Sequence, residues 1–339
     1  MTRITIQPTF NYSLIIKSLF SKKENKKNLF MSGRFAFEHA VREILKNHKD
    51  IDKILIPTVI CEEIVTILHE IGIKIEFYNI NRTLKIELND IENKMQNSFP
   101  IVLVVNYFGF PSEWKELLSL KKKNKCIFIE DNAHTLYSKL DDKELGLYGD
   151  LSFNSLRKIL PLLSGSQLSS NTENIKLLND EQHRFPTFSE FKYSIRNFKS
   201  KSNKRLLSEE NNSTKYKPSM PIDIISKRII NNYKFDIKNI KNQRIENFKF
   251  WTQYLKHSNL TFFKGLEINN SICPYVFPCY AETDEIKDWW IKWGRDRNIT
   301  IISWPKFHNS TKHFLHEEIM KRIICFPVNH QFDLREIIS

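Results

Sequence analysis

From Ser32 onward, apolar positions recur with the period of a helix and then of a strand, several times over. In "GRFAFEHAVREILKNH" the residues Phe37, Ala40, Val41, Ile44 and Leu45 fall on one face at helical spacing, after a Ser-Gly turn. "DKILIP" reads as a buried strand and "CEEIVTILHEIG" as a helix closed by Gly72. "KIEFYNI" is a strand, and "PIVLVVNYFG" is a strongly apolar, β-rich strand. "PSEWKELLSLKKKN" reads as a helix starting near Pro111, and "CIFIEDNA" as a further strand. This alternation predicts an α/β fold, a mostly parallel sheet with helices on both faces.

The pattern weakens after Gly165. Residues 1–29 read as an N-terminal arm with one short amphipathic helix, ending in the charged "SKKENKK". Residues 30–215 form the expected large domain, and its polar, Lys/Asn/Ser-rich part, 170–215, reads as a linker or mobile segment. Residues 216–339 form a smaller α+β domain. It has a helical pattern over 222–257, then "YVFPCYA" as a strand, "DEIKDWWIKWGRDRN" as a helix, and "ITIISW" and "ICFPVN" as strands.

The 339 residues, 41% of them hydrophobic, supply a sizeable core and exclude global disorder. A net charge of +13 favours anionic partners, although Lys- and Asn-rich surface runs account for much of it. The positive runs are scattered and carry no aromatic-basic motif, which argues against nucleic acid as a partner. The five cysteines have no C-x-x-C spacing, so no metal site is expected and they suit a reducing compartment. No apolar run reaches a membrane span. The expectation is a cytoplasmic protein with no membrane partner.

In a parallel α/β sheet, ligands bind beyond the carboxyl ends of the strands. Thr58 to Cys61, Asn106, Asp131 to His134, and Ser155 to Lys158 stand at four such ends. Ser32, Gly33 and Arg34 open a helix, whose free N–H groups suit a phosphate. Each residue has a plainer reading. Asp131 could cap a helix over "NAHTL", Lys158 could be a snorkelling surface lysine, and His134 could be a packed histidine. Order and spacing carry more information than any one residue.

That order resembles the DegT/DnrJ/EryC1/StrS family of pyridoxal-phosphate (PLP) sugar aminotransferases, of the type I fold. "SGRFAF" is similar to the family's S-G-T-x-A-L, "IEDNAHTL" to I-E-D-x-A-Q/H, "LGLYGDLSF" to V-G-x-x-G-D, and "IICFPVN" to L-x-L-P-L-H. "IPTVICEEIVTILHEIGIKIEFYNIN" and "VVNYFGFPSEW" resemble the family's stretches between these.

The resemblance implies a PLP cofactor with Lys158 as its Schiff-base lysine and Asp131 paired with the ring nitrogen. It places His134 near the ring's phenolic oxygen. It assigns Gly33, Arg34 and Ser155 to the phosphate, and counts Ser32, Cys61 and Asn106 among the cofactor-binding residues. It further implies a homodimer that moves an amino group from an amino acid, glutamate by expectation, to a nucleotide-linked keto sugar in surface polysaccharide or amino-sugar biosynthesis. By the opposite-charge rule, pairing with Lys158 would lower the pKa of Asp131.

The lysine turn departs from the pattern. Lys158 follows Ser155 by three positions where the family has five, and two glycines and a glutamate of the family's K-x-L-x-x-G-E-G-G are missing from "KILPLLSGS". A shifted register would place Ser152 on the family serine and Arg157 on the lysine, and an arginine cannot form the bond. The trailing "LP…G" favours Lys158. A same-fold PLP enzyme with another substrate or reaction, such as a dehydratase, and a degenerate non-catalytic homologue remain as alternative readings.

Overall fold

The computed structural model describes residues 3–19, 28–175, 177, 182–187, 190, 220–309 and 318–338. "SKKENKK" and most of the 170–215 linker lie outside these residues.

Helix α1 (Ser13–Leu19) and strand β1 (Leu29–Phe30) precede α2 (Gly33–Asn47). Then follow β2 (Ile54–Pro57), α3 (Glu62–Ile71), β3 (Ile75–Tyr78), α4 (Leu88–Met95), β4 (Ile101–Val105) and α5 (Trp114–Lys123). Next come β5 (Ile127–Asn132), the hairpin β6 (Lys139–Leu140) and β7 (Lys143–Glu144), then β8 (Leu151–Asn154) and β9 (Ser166–Ser170). These strands, apart from the hairpin, form a seven-stranded sheet ordered β1-β9-β8-β5-β4-β2-β3. Strands β2, β3, β4, β5 and β8 run parallel, while β9 and β1 close one edge antiparallel. The inner strands β2, β4 and β5 are buried along their whole length. Sheets covered on both faces select such continuous apolar runs.

The C-terminal part holds α6 (Ile224–Asn232), α7 (Ile237–Tyr254), β10 (Leu260–Phe262), β11 (Val276–Ala281), α8 (Asp284–Asp296), β12 (Ile302–Ser303), β13 (Ile323–Pro327) and α9 (Leu334–Ile337). Its sheet is antiparallel, ordered β10-β11-β13-β12. Among the described residues, no helix is long and apolar enough to cross a membrane.

The helical pattern over 222–257 proves to be two helices. Asp236 breaks it by accepting from Asn239 N at the start of α7, and Asp223 caps α6 by accepting from Ser226 N. Helix α5 begins at Trp114 rather than near Pro111, because Ser112 N donates to the Asn106 side chain and holds the preceding turn open. The short helix α4, whose apolar face is only Leu88, Ile91 and Met95, and the antiparallel strand β9, with one apolar residue, were not expected.

The described part of the arm does not hang free. Ile4 pairs with Ile299, Asn329 Nδ2 donates to Thr5 Oγ1 and Gln7 O, and Thr9 is bound to Gln331. The arm is thus bound to loops of the C-terminal part at residues 298–300, 329 and 331.

Candidate active site

Strands β8, β5, β4 and β2 are neighbours in the sheet, so the four polar segments that follow them share one edge. Asp131 sits at the end of β5, beside Phe153 of β8 in register, with only 6% of its surface exposed. Its Oδ1 accepts the Ala133 N–H at 2.8 Å. Two residues beyond Phe153, Ser155 is buried and opens a 3-10 turn, Leu156–Lys158, that presents Lys158.

Lys158 comes into range of the other candidates. Its charge acts on Asp131, His134 and Cys61, and Nζ lies 5.4 Å from the centre of the Tyr275 ring. Arg157 points elsewhere, donating to Gln7 Oε1 at 2.9 Å.

Burial dominates the electrostatics. Loss of water raises the Asp131 carboxyl from 3.8 to about 6, against the opposing pull of the Ala133 N–H and the Lys158 charge. This corrects the expectation of a lowered value: Lys158 is too weak a partner here to offset desolvation. Burial, with the charge of Lys158, holds His134 well below its usual value and therefore neutral. The Cys61 thiol is pushed up to about 12, chiefly by burial, so it stays protonated.

His134 is held in an aromatic box. Phe108 stacks on it at 5.6 Å and 7°, Tyr275 stacks at 4.8 Å and 18°, and Trp304 meets it edge-on at 4.8 Å. Phe108 reaches this place from a turn of positive φ (56°) after β4, and Tyr275 N donates to Phe108 O. Sequence reasoning missed Phe108 and Tyr275. The one available signal was "YFG", where a glycine follows two aromatics at a strand end.

At the other end of the site, Ser32 and Gly33 start α2. The position of a Cβ on Gly33 would lie 3.4 Å from Asn154 O and from the Phe153 ring, so the helix start packs against the end of β8. The first-turn N–H groups of a helix lack partners within it.

Two of the expected cofactor residues stand differently. Asn106 is completely buried and its side chain is used up within the protein. It donates to Glu130 Oε1 and Asn132 Oδ1 and accepts from Ser112 N and Trp114 Nε1. It is a structural brace and has nothing left for a ligand. Arg34 has an exposed side chain whose guanidinium lies over the Phe35 ring at 5.5 Å.

The neighbouring acid divides the work with Asp131. Glu130 points to the opposite face and accepts from the N–H groups of Gly146, Tyr148 and Gly149 as well as from Asn106. It clamps the "GLYGD" loop that leads into β8. Gly149 has to be glycine there, since a Cβ would lie 2.8 Å from Leu151 O and 3.0 Å from Glu130 N.

Two polar atoms at the site are buried with no partner in the protein, Ser32 Oγ and His134 Nδ1. Together with a buried carboxyl, an amine in range of it and a helix start, they form a donor set that fits pyridoxal phosphate: an acid for the ring nitrogen, a lysine for the aldehyde, and hydroxyl and N–H groups for the phosphate.

The architecture is the type I fold of PLP-dependent transferases. A putative sugar aminotransferase from Streptococcus pneumoniae, in its PLP form, superimposes with a TM-score of 0.71 at 12% identity, covering 99% of this chain and 96% of that one. Residues 32–166, less than half of the chain, match the model of the DegT/DnrJ/EryC1/StrS aminotransferase family.

In sequence it is similar to a UDP-4-amino-4,6-dideoxy-N-acetyl-beta-L-altrosamine transaminase of Campylobacter jejuni subsp. jejuni serotype O:23/36 (strain 81-176), 33% identical over 116 residues, which are 32% of this chain and 31% of that protein. It is also similar to a GDP-4-keto-6-deoxy-D-mannose 3-dehydratase of Yersinia pseudotuberculosis, 24% identical over 99 residues, 29% of this chain and 25% of that protein. The matches to these curated relatives span less than a third of the relatives' own length.

Proposed function

We propose that this protein is a homodimeric PLP-dependent aminotransferase that moves an amino group from an amino acid, glutamate by preference, to a keto sugar carried on a nucleotide diphosphate. The observation that carries this reading is a buried Asp131 at the carboxyl edge of the sheet, with Lys158 presented by the turn after β8 near enough for its charge to act on it. The excess of basic residues suits a diphosphate substrate, and the five free cysteines suit the cytoplasm. The name of the Campylobacter relative supports transamination on a nucleotide sugar.

When bound, pyridoxal phosphate supplies a ring that takes up the electron pair left as the donor's Cα–H bond breaks. Asp131, as a carboxylate, holds a proton at the ring nitrogen. Lys158 would hold the cofactor and, as a free amine, would carry a proton at Nζ. His134, neutral and with Nδ1 turned to no protein group, offers that atom to the ring's phenolic oxygen. Ser32, Gly33 and Ser155 supply donors to the phosphate. Phe108, Tyr275 and Trp304 exclude water around His134.

The test is the first half-reaction. Incubating the PLP-loaded protein with single amino acids should convert the bound cofactor to its amine form with glutamate, seen as loss of the visible absorption band. No conversion with any common amino acid would count against transamination. The dehydratase relative favours a second reading on the same site. A sugar product that has lost water and gained no nitrogen would select it.

A further inference from the structure

Gln7 joins the N-terminal arm, which is bound to loops of the C-terminal part, to the lysine turn. Its Oε1 accepts from Arg157 Nη1 at 2.9 Å and its Nε2 donates to the Tyr275 hydroxyl at 3.3 Å. Arg157 is the immediate neighbour of Lys158. The Tyr275 ring is buried (4% exposed), stacks on His134 at 4.8 Å, and lies 5.4 Å from Lys158 Nζ.

The arm itself is firmly placed. Thr5 Oγ1 donates to Gln7 O, Asn329 Nδ2 donates to the same carbonyl, and Gln331 secures Thr9 two residues on. An amide fixed in this way has both its donor and its acceptor spent on one link between two parts of the molecule.

We propose that Gln7 is a positioning residue: it ties the lysine turn to Tyr275 and so holds that ring against Lys158 and His134. A ring held within about 6 Å of an amine favours its charged, unreactive form. Gln7 therefore moderates the nucleophilicity of Lys158. The functional meaning rests on the reading of Lys158 as the cofactor's lysine, but the geometry does not depend on any bound group.

The experiment is competitive labelling of the cofactor-free full chain with trace acetic anhydride at fixed pH. Acetylation of Lys158 is read by peptide mass spectrometry against surface Lys46. Gln7→Leu, which removes both bonds, should label Lys158 about two- to fivefold faster than wild type. Gln7→Glu, which can still accept from Arg157 and from the tyrosine hydroxyl, should restore the wild-type rate. Gln331→Ala, which loosens the arm away from the site, should lower the melting temperature and leave Lys158 labelling unchanged.

Should Gln7→Leu fail to fold, Tyr275→Phe breaks the same link from its other end and should raise labelling in the same direction. Wild-type labelling of Lys158 in the folded Gln7→Leu or Tyr275→Phe protein would overturn the proposal and leave Gln7 a brace only. Failure of PLP to attach to Lys158 would instead sink the functional reading and leave this result standing.

Discussion

Replacing Asp131 by Asn should stabilise the cofactor-free protein at neutral pH while removing its activity. Burial raises this carboxyl from 3.8 to about 6. A raised carboxyl works against the folded state: it costs nothing well below pH 4, where folded and unfolded forms are both protonated, and the penalty builds between about pH 4 and 6, where only the unfolded form ionises, and then levels off. Two pH units correspond to about 3 kcal/mol, so 1–3 kcal/mol is a realistic gain for the amide. Asn keeps an oxygen for the Ala133 N–H, so the turn after β5 should survive. Urea denaturation between pH 4 and 7 measures the effect: wild-type stability should fall over this range and the variant's should fall less. An amide cannot hold a proton at the ring nitrogen, so turnover should drop by about 10²-fold or more. Equal pH dependence in the two proteins would show that Asp131 is not the desolvated acid described here.

The second large effect is structural. Gly109→Ala should destabilise the fold by about 3 kcal/mol or more. Gly109 has φ of +102°, and an added Cβ would sit 2.4 Å from Cys273 O and 3.1 Å from Pro274 Cα. Both neighbours are backbone, which cannot swing aside as a side-chain tip would. The contact brings the turn after β4 against residues 273–275, and the same approach stacks Phe108 and Tyr275 on His134. Any relaxation that relieves the clash must part those rings. The variant should therefore also lose affinity for PLP, measured by equilibrium titration under conditions where it remains folded. A melting temperature within a degree or two of wild type would contradict the argument.

The sheet was legible in the sequence because its inner strands are apolar throughout. "ILIP", "IVLVV" and "IFIED" have no other stable use than a sheet covered on both faces. Asp131 stood out for the same reason, as a carboxylate ending such a run. What failed to show was whatever depends on pairing between distant residues. Asn106 ends a strand just as Asp131 does, and only the folded structure shows that Glu130, Asn132, Ser112 and Trp114 consume its side chain. Tyr275 and Gln7 come from segments with no motif and far from Lys158 in sequence, so no local spacing could link them. The sign of the Asp131 shift was missed because spacing shows that a lysine is present but not how much water is lost. The break between α6 and α7 hides in a continuous helical period, where the local caps Asp223 and Asp236 outweigh the pattern.

The central claim is that Lys158 carries the cofactor, and borohydride trapping tests it most directly. The purified protein is incubated with pyridoxal phosphate, reduced, digested and analysed by peptide mass spectrometry. One adduct per chain is expected, on Lys158, with none in Lys158→Met although that variant remains folded. No adduct in the wild-type protein, or a stoichiometric adduct on another lysine with Lys158 unmodified, would contradict the account.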